Sequence, residues 1–403
     1  MSDSDRRTFL AQTAGALAGF ALIPDVVFTP PRRGRRAHKV AVIGIGRQGR
    51  AIIDELRKLD AVEIAAVCDV VPSRLNAAAE LAAGAAPIAD YRQLLERSDI
   101  EAVLVATPTH LHKDIVLAAL AAKRHVYCEA PLAHTAADAR AIADAATSAG
   151  TVFQAGLTLR SNPTYQRARS LVRSASVRDV VSLYAQNHRK TSWRFPAPDR
   201  ALEQAFNWRL DPAVSIGLAG EWATHQIDVM TWLRNQAPVR VQGSGSIRLH
   251  DDGRKIADTI ALQLAWADGV IMSYDATLAN SYGGAFEVLH GTHAAIRLAG
   301  THGWLFKEAD AATQGWEVYA TRQQFHNEEG IVLVADATKL AAQDRLKQGA
   351  GLEHPPLYYA LADFIRSFAE GASVAATAAH GLQATLIGIS ANEAVVTRQA
   401  IDL

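Results

Sequence analysis

The sequence predicts an α/β protein in two parts: a doubly wound parallel sheet, then an α+β unit with an open, mostly antiparallel sheet. Three observations carry this. Short apolar runs rich in β-branched residues alternate with helical stretches from residue 38 to about 158, the pattern of crossover units on a parallel sheet. A glycine-rich turn separates the first of these runs from the first helix. Strand patterns then dominate from about residue 179, and two of them meet at Asp268-Gly269, a hairpin signal. A length of 403 residues suits two separate cores. The expected organisation is a leader and linker over 1–37, one domain over 38–158 and a second over 159–403.

Composition narrows the function classes. Apolar residues make up 49% and charged residues 20%, the balance of a soluble globular chain. Lysine and arginine total 41 against 41 acids, so nucleic acid, which demands a basic surface, is not the expected partner. Two cysteines cannot frame a disulfide scaffold, and no Cys/His spacing reads as a metal site. Charge is nevertheless uneven: residues 1–39 hold seven basic and three acidic side chains, leaving +4 there and −4 in the remainder. Asp5-Arg6-Arg7-Thr8-Phe9-Leu10, with the charge-free stretch Thr8 to Pro24, resembles a twin-arginine export signal. The stretch is too short and too mildly apolar for an integral span, so the expected location is the periplasm or outside. A disordered basic leader is the alternative. No clear small-x-small cleavage site follows, and residues 29–37 read as a linker.

Residues 38–44 form a short apolar run, a buried parallel strand by length and content. Gly44-Ile45-Gly46-Arg47-Gln48-Gly49 follows, then a helical pattern through Leu59 and a second strand, Val62 to Cys68, ending on Asp69. The acid stands 20 residues after the last glycine, the Rossmann dinucleotide-binding spacing. Glycines let the backbone approach a pyrophosphate, and the helix start offers free N–H groups. A carboxylate at Asp69 accepts from ribose hydroxyls and repels a 2′-phosphate, favouring NAD over NADP. Glycines serving only a tight turn are the plain alternative. Further strands are expected at 86–89, 101–106, 125–129 and 151–155, with helices at 72–83, 111–122 and 135–149. Cys68 and Cys128 then end strands about 14 Å apart at 4.8 Å per strand, too far for a disulfide.

The fourth strand ends Val105-Ala106-Thr107-Pro108-Thr109-His110-Leu111-His112, and the fifth ends Tyr127-Cys128-Glu129-Ala130-Pro131. With Gly156-Leu157-Thr158-Leu159-Arg160-Ser161-Asn162-Pro163 and Gly220-Glu221-Trp222-Ala223-Thr224-His225-Gln226-Ile227-Asp228, the chain resembles the Gfo/Idh/MocA family of nicotinamide-dependent sugar oxidoreductases over about residues 38–390. The resemblance implies NAD held by Gly44, Gly46, Arg47, Gln48, Gly49, Asp69, Thr107, Pro108, His112 and Glu129. It implies catalysis by His225 with Asp228 and Glu129, and sugar contacts from Arg160, Asn162, His188, Arg194, Arg209 and His225. One departure stands out: the family's Glu-Lys-Pro has become Glu-Ala-Pro, with Ala130 where a proton-moving lysine usually stands. His225 is the best replacement. It lies at i,i+3 from Asp228 on a helical segment from Gly220 to Leu233, so Asp228 is expected to orient its ring. A core histidine satisfied by that acid is the alternative. His110 also follows the fourth strand, and Trp193, Trp208 and Trp222 are candidates for stacking on a sugar ring, or core residues.

In the second domain strands are expected at 179–187, 239–248, 257–266, 270–277, 285–290 and 294–299. Helices over Pro355–Glu370 and 379–398 should pack back on that domain. Its open sheet is an expected homo-oligomer surface. Export adds a constraint, because no NAD pool is expected outside to reoxidise NADH. The expected activity is therefore oxidation at a sugar, glycoside or polyol CH–OH with a tightly held, internally recycled cofactor. Glycoside hydrolysis or elimination through transient oxidation is the first alternative, and a non-catalytic NAD-bound sugar sensor the second.

Overall fold

The computed structural model describes residues 28–32, 34, 36–314, 317, 320–333 and 351–403. The expected export signal lies outside the described residues, as does part of the linker.

The first unit alternates strand and helix: β1 (His38–Ile43), α1 (Arg47–Leu56), β2 (Val62–Cys68), α2 (Pro72–Leu81), β3 (Ala86–Ile88), α3 (Tyr91–Leu95), β4 (Ala102–Val105), α4 (His112–Ala121), β5 (His125–Cys128), α5 (Ala136–Ser148) and β6 (Phe153–Ala155). All strand pairs are parallel, in the order β3-β2-β1-β4-β5-β6. Val40 to Ile43 and Ala102 to Val105 are buried on both faces, as a sheet sandwiched between helix layers requires. The order reverses between β1 and β4, which opens a crevice at the strands' carboxyl ends. Cys68 and Cys128, at the ends of β2 and β5, are free and buried.

The second unit begins with α6 (Pro163–Arg173) and β7 (Val180–His188), continues through α7 (Glu203–Asn207), and reaches a π-helical turn at Ala219–Ala223 that runs into α8 (Thr224–Arg234). There follow β8 (Arg240–Ser246), β9 (Thr259–Ala265), β10 (Ile271–Thr277), β11 (Ala285–Gly291), β12 (Ala294–Ala299), β13 (His302–Lys307), β14 (Arg322–Gln324) and β15 (Glu329–Val332), then α9 (Pro356–Glu370), α10 (Ala378–Thr397) and β16 (Ile401–Asp402). These strands make a second sheet in the order β14-β15-β13-β12-β11-β7-β10-β9-β8-β16, antiparallel except for the β7–β10 pair. Strand β9 alternates buried Ile260, Leu262 and Leu264 with outward Ala261 and Gln263, so one face meets the core and the other stays open.

The closing helices depart from expectation. Helix α9 does not return to the second unit: Tyr358, Leu361, Phe364 and Ile365 join the core formed by β1, α1 and Tyr127. Helix α10 serves both units, with Ala378 and Ala384 in the first core and Ala391 and Ala394 in the second. The long, apolar α9 and α10 were read correctly as helices, but the packing partner of an amphipathic face is not written in its own periodicity.

Candidate active site

A cleft of about 1550 Å³ lies between the units, along the carboxyl ends of β1, β2, β4 and β5. Its floor is the glycine turn. Gly44 has φ +92°, and a Cβ there would lie 2.6 Å from the Thr107 amide nitrogen, so the turn can pass β4 only as glycine. A Cβ on Gly49 would meet the Gly44 carbonyl oxygen at 1.9 Å, which makes this glycine the close contact between α1 and the turn. A Cβ on Gly46 would meet nothing within 4 Å, and Gly46 lines the cleft; here the backbone is bare toward a ligand. Asp69, buried at the end of β2, fixes this turn. Its Oδ2 accepts from the Ile45 amide at 2.7 Å and its Oδ1 from the Val71 amide at 2.8 Å. Each oxygen keeps a lone pair for a further donor in the cleft, which Asp69 also lines.

Arg47 opens α1 on the cleft wall and has no carboxylate partner among the described residues. Burial, then the neighbouring charges of Arg189 and Arg209, hold its pKa below the ordinary value, so this end of the cleft calls for an anion. The Thr107 hydroxyl, beside the turn, is buried without a hydrogen-bond partner. Bare glycine backbone, an uncompensated arginine, an orphaned hydroxyl and an acid with lone pairs to spare fit a nicotinamide dinucleotide. The residues placed to hold it are Gly44, Gly46, Arg47, Gln48, Asp69, Thr107 and Pro108, all on the cleft wall.

Glu129 ends β5 within the cleft, and the Gln48 amide donates to its Oε1 at 3.0 Å. Burial raises this carboxyl to about 7, against the opposing effect of Gln48. Gly156 permits the position, since a Cβ there would lie 2.8 Å from the Glu129 Cα. Ala130 follows on the cleft wall, joined to Pro131 by a cis peptide.

His225 lies in the cleft, one residue into α8. Its ring hydrogen-bonds the Ala130 carbonyl, and burial lowers its pKa to about 4. An N–H donated to that carbonyl leaves the other nitrogen as a bare acceptor. Asp228 does not orient this ring. Its carboxylate is 4% exposed and takes a two-pronged contact from Arg160, Nε at 2.8 Å and Nη2 at 2.7 Å. A charge-assisted fork outcompetes a neutral imidazole for a buried carboxylate.

Four of the expected sugar contacts are absent from the cleft wall. Arg160 is spent on Asp228 and faces a different cavity behind α8. Asn162 caps α6, its Oδ1 accepting from the Thr164 and Tyr165 amides while its Nδ2 donates to the Gly300 carbonyl. His188 pairs with Asp275 on the open face of the second sheet, alongside Tyr184. Strand alternation explains this: its neighbour Asn187 is the residue that reaches the cleft. Arg194 forms partly exposed ion pairs with Asp252 at 2.8 Å and Glu203 at 3.1 Å. His112 does line the cofactor end, but its ring is held between carbonyls, Nδ1 3.1 Å from Pro131 and Nε2 2.9 Å from Thr107. It braces the loop instead of offering a free nitrogen to ribose. Burial lowers its pKa to about 4.

Arg209 is in the cleft, its guanidinium 4.3 Å from the centre of the Trp208 ring. Trp193, Trp208, Trp222 and His110 line the same wall, with Trp193 edge-on to Trp222 at 5.5 Å.

Two cleft acids escaped the sequence reading. Glu221, in the π-turn, accepts from the Thr109 hydroxyl at 3.0 Å and from Arg209 Nε at 3.2 Å, so it ties the first unit to the second. Burial raises its pKa. Its signal was its place four residues before His225, on the same helical face. Glu287 in β11 accepts from the Tyr165 hydroxyl at 2.6 Å and from Gln226 Nε2 at 2.7 Å, and burial raises it to about 7. Its signal was an acid at the inward parity of a strand, in step with buried Leu289.

Comparison with known proteins accords with this geometry. Residues 38–157 match the model of an oxidoreductase family with an NAD-binding Rossmann fold, and residues 165–306 match the GFO/IDH/MocA C-terminal domain. The chain belongs to the Gfo/Idh/MocA oxidoreductase family, and its first unit is an NAD-binding Rossmann domain. It is 30% identical over 204 residues to inositol 2-dehydrogenase of Salmonella typhimurium, an alignment covering 49% of this chain and 55% of that one. The chain thus spans about half the length of such curated inositol dehydrogenases. It is 27% identical over 340 residues to levoglucosan dehydrogenase of Pseudarthrobacter phenanthrenivorans, covering 78% of this chain and 83% of that enzyme. Among solved structures, an oxidoreductase domain protein from Kribbella flavida superposes with a TM-score of 0.74 at 21% identity, covering 91% of this chain and 99% of that one. A levoglucosan dehydrogenase in complex with NADH and levoglucosan superposes with a TM-score of 0.71 at 21% identity, covering 91% and 99%. These two likenesses are of fold.

Proposed function

We propose that the protein is an NAD-dependent oxidoreductase acting on a CH–OH group of a sugar or polyol, with His225 as the base. The carrying observation is the His225 ring, inside the cleft that holds the glycine turn, with one nitrogen committed to the Ala130 carbonyl and the other left as an acceptor. NAD bound along that turn supplies the hydride acceptor. His225 takes the hydroxyl proton. With its pKa near 4 it stays neutral, and therefore able to accept, across the physiological range. Loss of the family lysine is thereby offset: the backbone carbonyl of residue 130 positions the base that the side chain no longer provides.

Glu129 and Glu287 are carboxyls near 7 on the same wall, suited to donating or accepting hydrogen bonds with substrate hydroxyls at neutral pH. Arg209 and the tryptophans Trp193, Trp208 and Trp222 provide the polar tip and flat faces that a cyclic polyol or anhydrosugar needs. Inositol and levoglucosan, named for the relatives above, are the first substrates to try.

A twin-arginine leader would export the chain folded around its NAD, with the cofactor retained and recycled within each cycle. The open sheet face, with its Tyr184–Asp275–His188 network, is proposed as the contact between copies in a homo-oligomer.

The test is His225→Asn, assayed for reduction of bound NAD on addition of myo-inositol or levoglucosan. A fall of about 10²–10⁴ in rate with NAD affinity unchanged is expected. Unaltered turnover would remove His225 from the mechanism. Glycoside cleavage without net oxidation would replace the dehydrogenase reading with one of hydrolysis or elimination.

A further inference from the structure

A second cavity, of about 680 Å³, lies behind α8, where α6, the end of α8 and the start of α10 converge. Its wall carries Arg160, Arg169, Arg173 and His380, and no aspartate or glutamate. Arg160 is neutralised from behind by Asp228. Among the described residues, Arg169 and Arg173 have no ion-pair or hydrogen-bond partner, and the buried Arg169 Nε is unsatisfied. The Arg169 guanidinium stands 4.8 Å from the centre of the Trp232 ring, which fixes it at the cavity wall. Arg169 and Arg173 are one turn apart on α6, where like charges repel. Arg169 is half-buried and Arg173 exposed, so an anion seated between them would relieve this repulsion and satisfy the Arg169 Nε.

His380 adds a donor. Its Nδ1 accepts from the Thr377 amide at 3.2 Å in the capping box of α10, so in the neutral ring Nε2 carries the proton. Burial, with Arg160 and Arg169 nearby, lowers its pKa to about 4, so the ring is a neutral N–H donor and adds no positive charge.

From the acid-free wall, the two uncompensated arginines and the cavity's size, we propose that this pocket is an oxyanion site separate from the NAD cleft. It takes phosphate or the phosphoryl group of a small phosphorylated metabolite, held by the Arg169 and Arg173 guanidiniums with the His380 N–H beside them. Arginine forks match phosphoryl oxygens in geometry as well as in charge. A cavity of this volume holds a ligand larger than bare phosphate. Arg160 links the site to Asp228, and so to the helix that carries His225 three residues earlier.

The test uses the full chain saturated with NAD, so that phosphate cannot register at the dinucleotide site. Thermal denaturation and calorimetric titration are run with sodium phosphate against sodium chloride at matched ionic strength. Saturable stabilisation by phosphate is expected, with Arg169→Gln and Arg173→Gln each weakening binding at least tenfold. Arg169→Lys, which keeps the charge without the fork, should bind with intermediate affinity. Without phosphate, Arg173→Gln should melt at or above the temperature of the native chain, because it relieves repulsion; this guards against a merely misfolded variant. Arg178→Gln, at an exposed residue outside the cavity wall, should bind normally. A hexose 6-phosphate binding at least tenfold tighter than phosphate would identify the source as a phosphorylated sugar, and equal affinity as free phosphate. Stabilisation no greater than that by chloride, or a phosphate response that survives in the Arg169→Gln Arg173→Gln double variant, would overturn the proposal.

Discussion

Asp228 separates what spacing reveals from what packing decides. Its position three residues after His225 is legible in the sequence, but its partner, Arg160, stands 68 residues away and is found only once the units close. Removing one member of a buried charge pair strands the other, at a cost of roughly 3–5 kcal/mol. Asp228→Asn should therefore lower the denaturation midpoint sharply, whereas a ring-orienting aspartate would register mainly in the rate. A variant of near-native stability with a large loss of rate would restore the dyad. Glu287 makes a prediction of opposite character. Its carboxyl rises from 4.5 to about 7 on folding, corresponding to roughly 3 kcal/mol. Below pH 4.5 both folded and unfolded chains hold the proton, and the contribution is fully present. Between 4.5 and 7 the unfolded chain releases it and the folded chain does not, so stability is lost as pH rises. Glu287→Gln has no such loss, and the melting temperature of the variant minus that of the native chain should climb from pH 4.5 to 7. A difference independent of pH would show that Glu287 is not protonated in the fold. The glycines were readable because their roles follow from local backbone geometry; Asp69 was readable as the acid that ends β2, but not its hold on the Ile45 and Val71 amides. The side chains of Asn162, His188 and Arg194 were not, because their directions are set by a helix cap, a strand parity and nearby acids.

At the scale of elements, periodicity located all six strands of the first sheet and six of the ten strands that the second shows among the described residues. The strands it omitted, β13 to β16, lie at the two edges of the sheet and include three-residue and two-residue segments too short to show alternation. The π-turn at Ala219–Ala223 was hidden for another reason: sequence patterns distinguish helix from strand but not one helical hydrogen-bond spacing from another. Yet this turn brings Glu221 and His225 together on the cleft wall. Helix α10 holds it in place by approaching very closely. A Cβ on Gly388 would lie 2.0 Å from the Thr224 hydroxyl oxygen and 3.4 Å from the Gly220 Cα. Gly388→Ala must turn the Thr224 side chain aside or push α10 away from α8, at about 1–3 kcal/mol, the range for overpacking a filled interior. It should also slow turnover, because α8 carries His225. Equilibrium denaturation and steady-state kinetics together check this; an unchanged midpoint and rate would mean that the helix crossing has slack.

Over the whole molecule, the two units are stitched together at more places than a linear reading of two domains suggests. The Thr385 hydroxyl accepts from the Leu132 amide, Gln154 Nε2 donates to the Ala360 carbonyl, and the Ala155 amide donates to the Ala376 carbonyl. Glu221 bridges Thr109 and Arg209 across the cleft itself. Opening the cleft wide enough to release a dinucleotide would break the buried Thr109–Glu221 hydrogen bond and pull on α10, which is packed into both cores; a buried hydrogen bond is worth about 0.5–1.5 kcal/mol net and more where a charged group is left unpaired. Slow cofactor exchange is the expected consequence, and it agrees with the reading of the leader as an export signal, since an exported chain has no NAD pool to draw on. Protein purified without added nucleotide, denatured and assayed by enzymatic cycling should therefore yield close to one NAD(H) per chain. Adding substrate to the undenatured protein should then give a single stoichiometric rise in reduced cofactor, with continued turnover only when a second carbonyl compound is supplied to take the hydride back. Protein that arrives free of cofactor yet turns over steadily on added NAD would mean that the cleft opens readily, and would remove retention and recycling from the proposal while leaving His225 and its carbonyl partner in place.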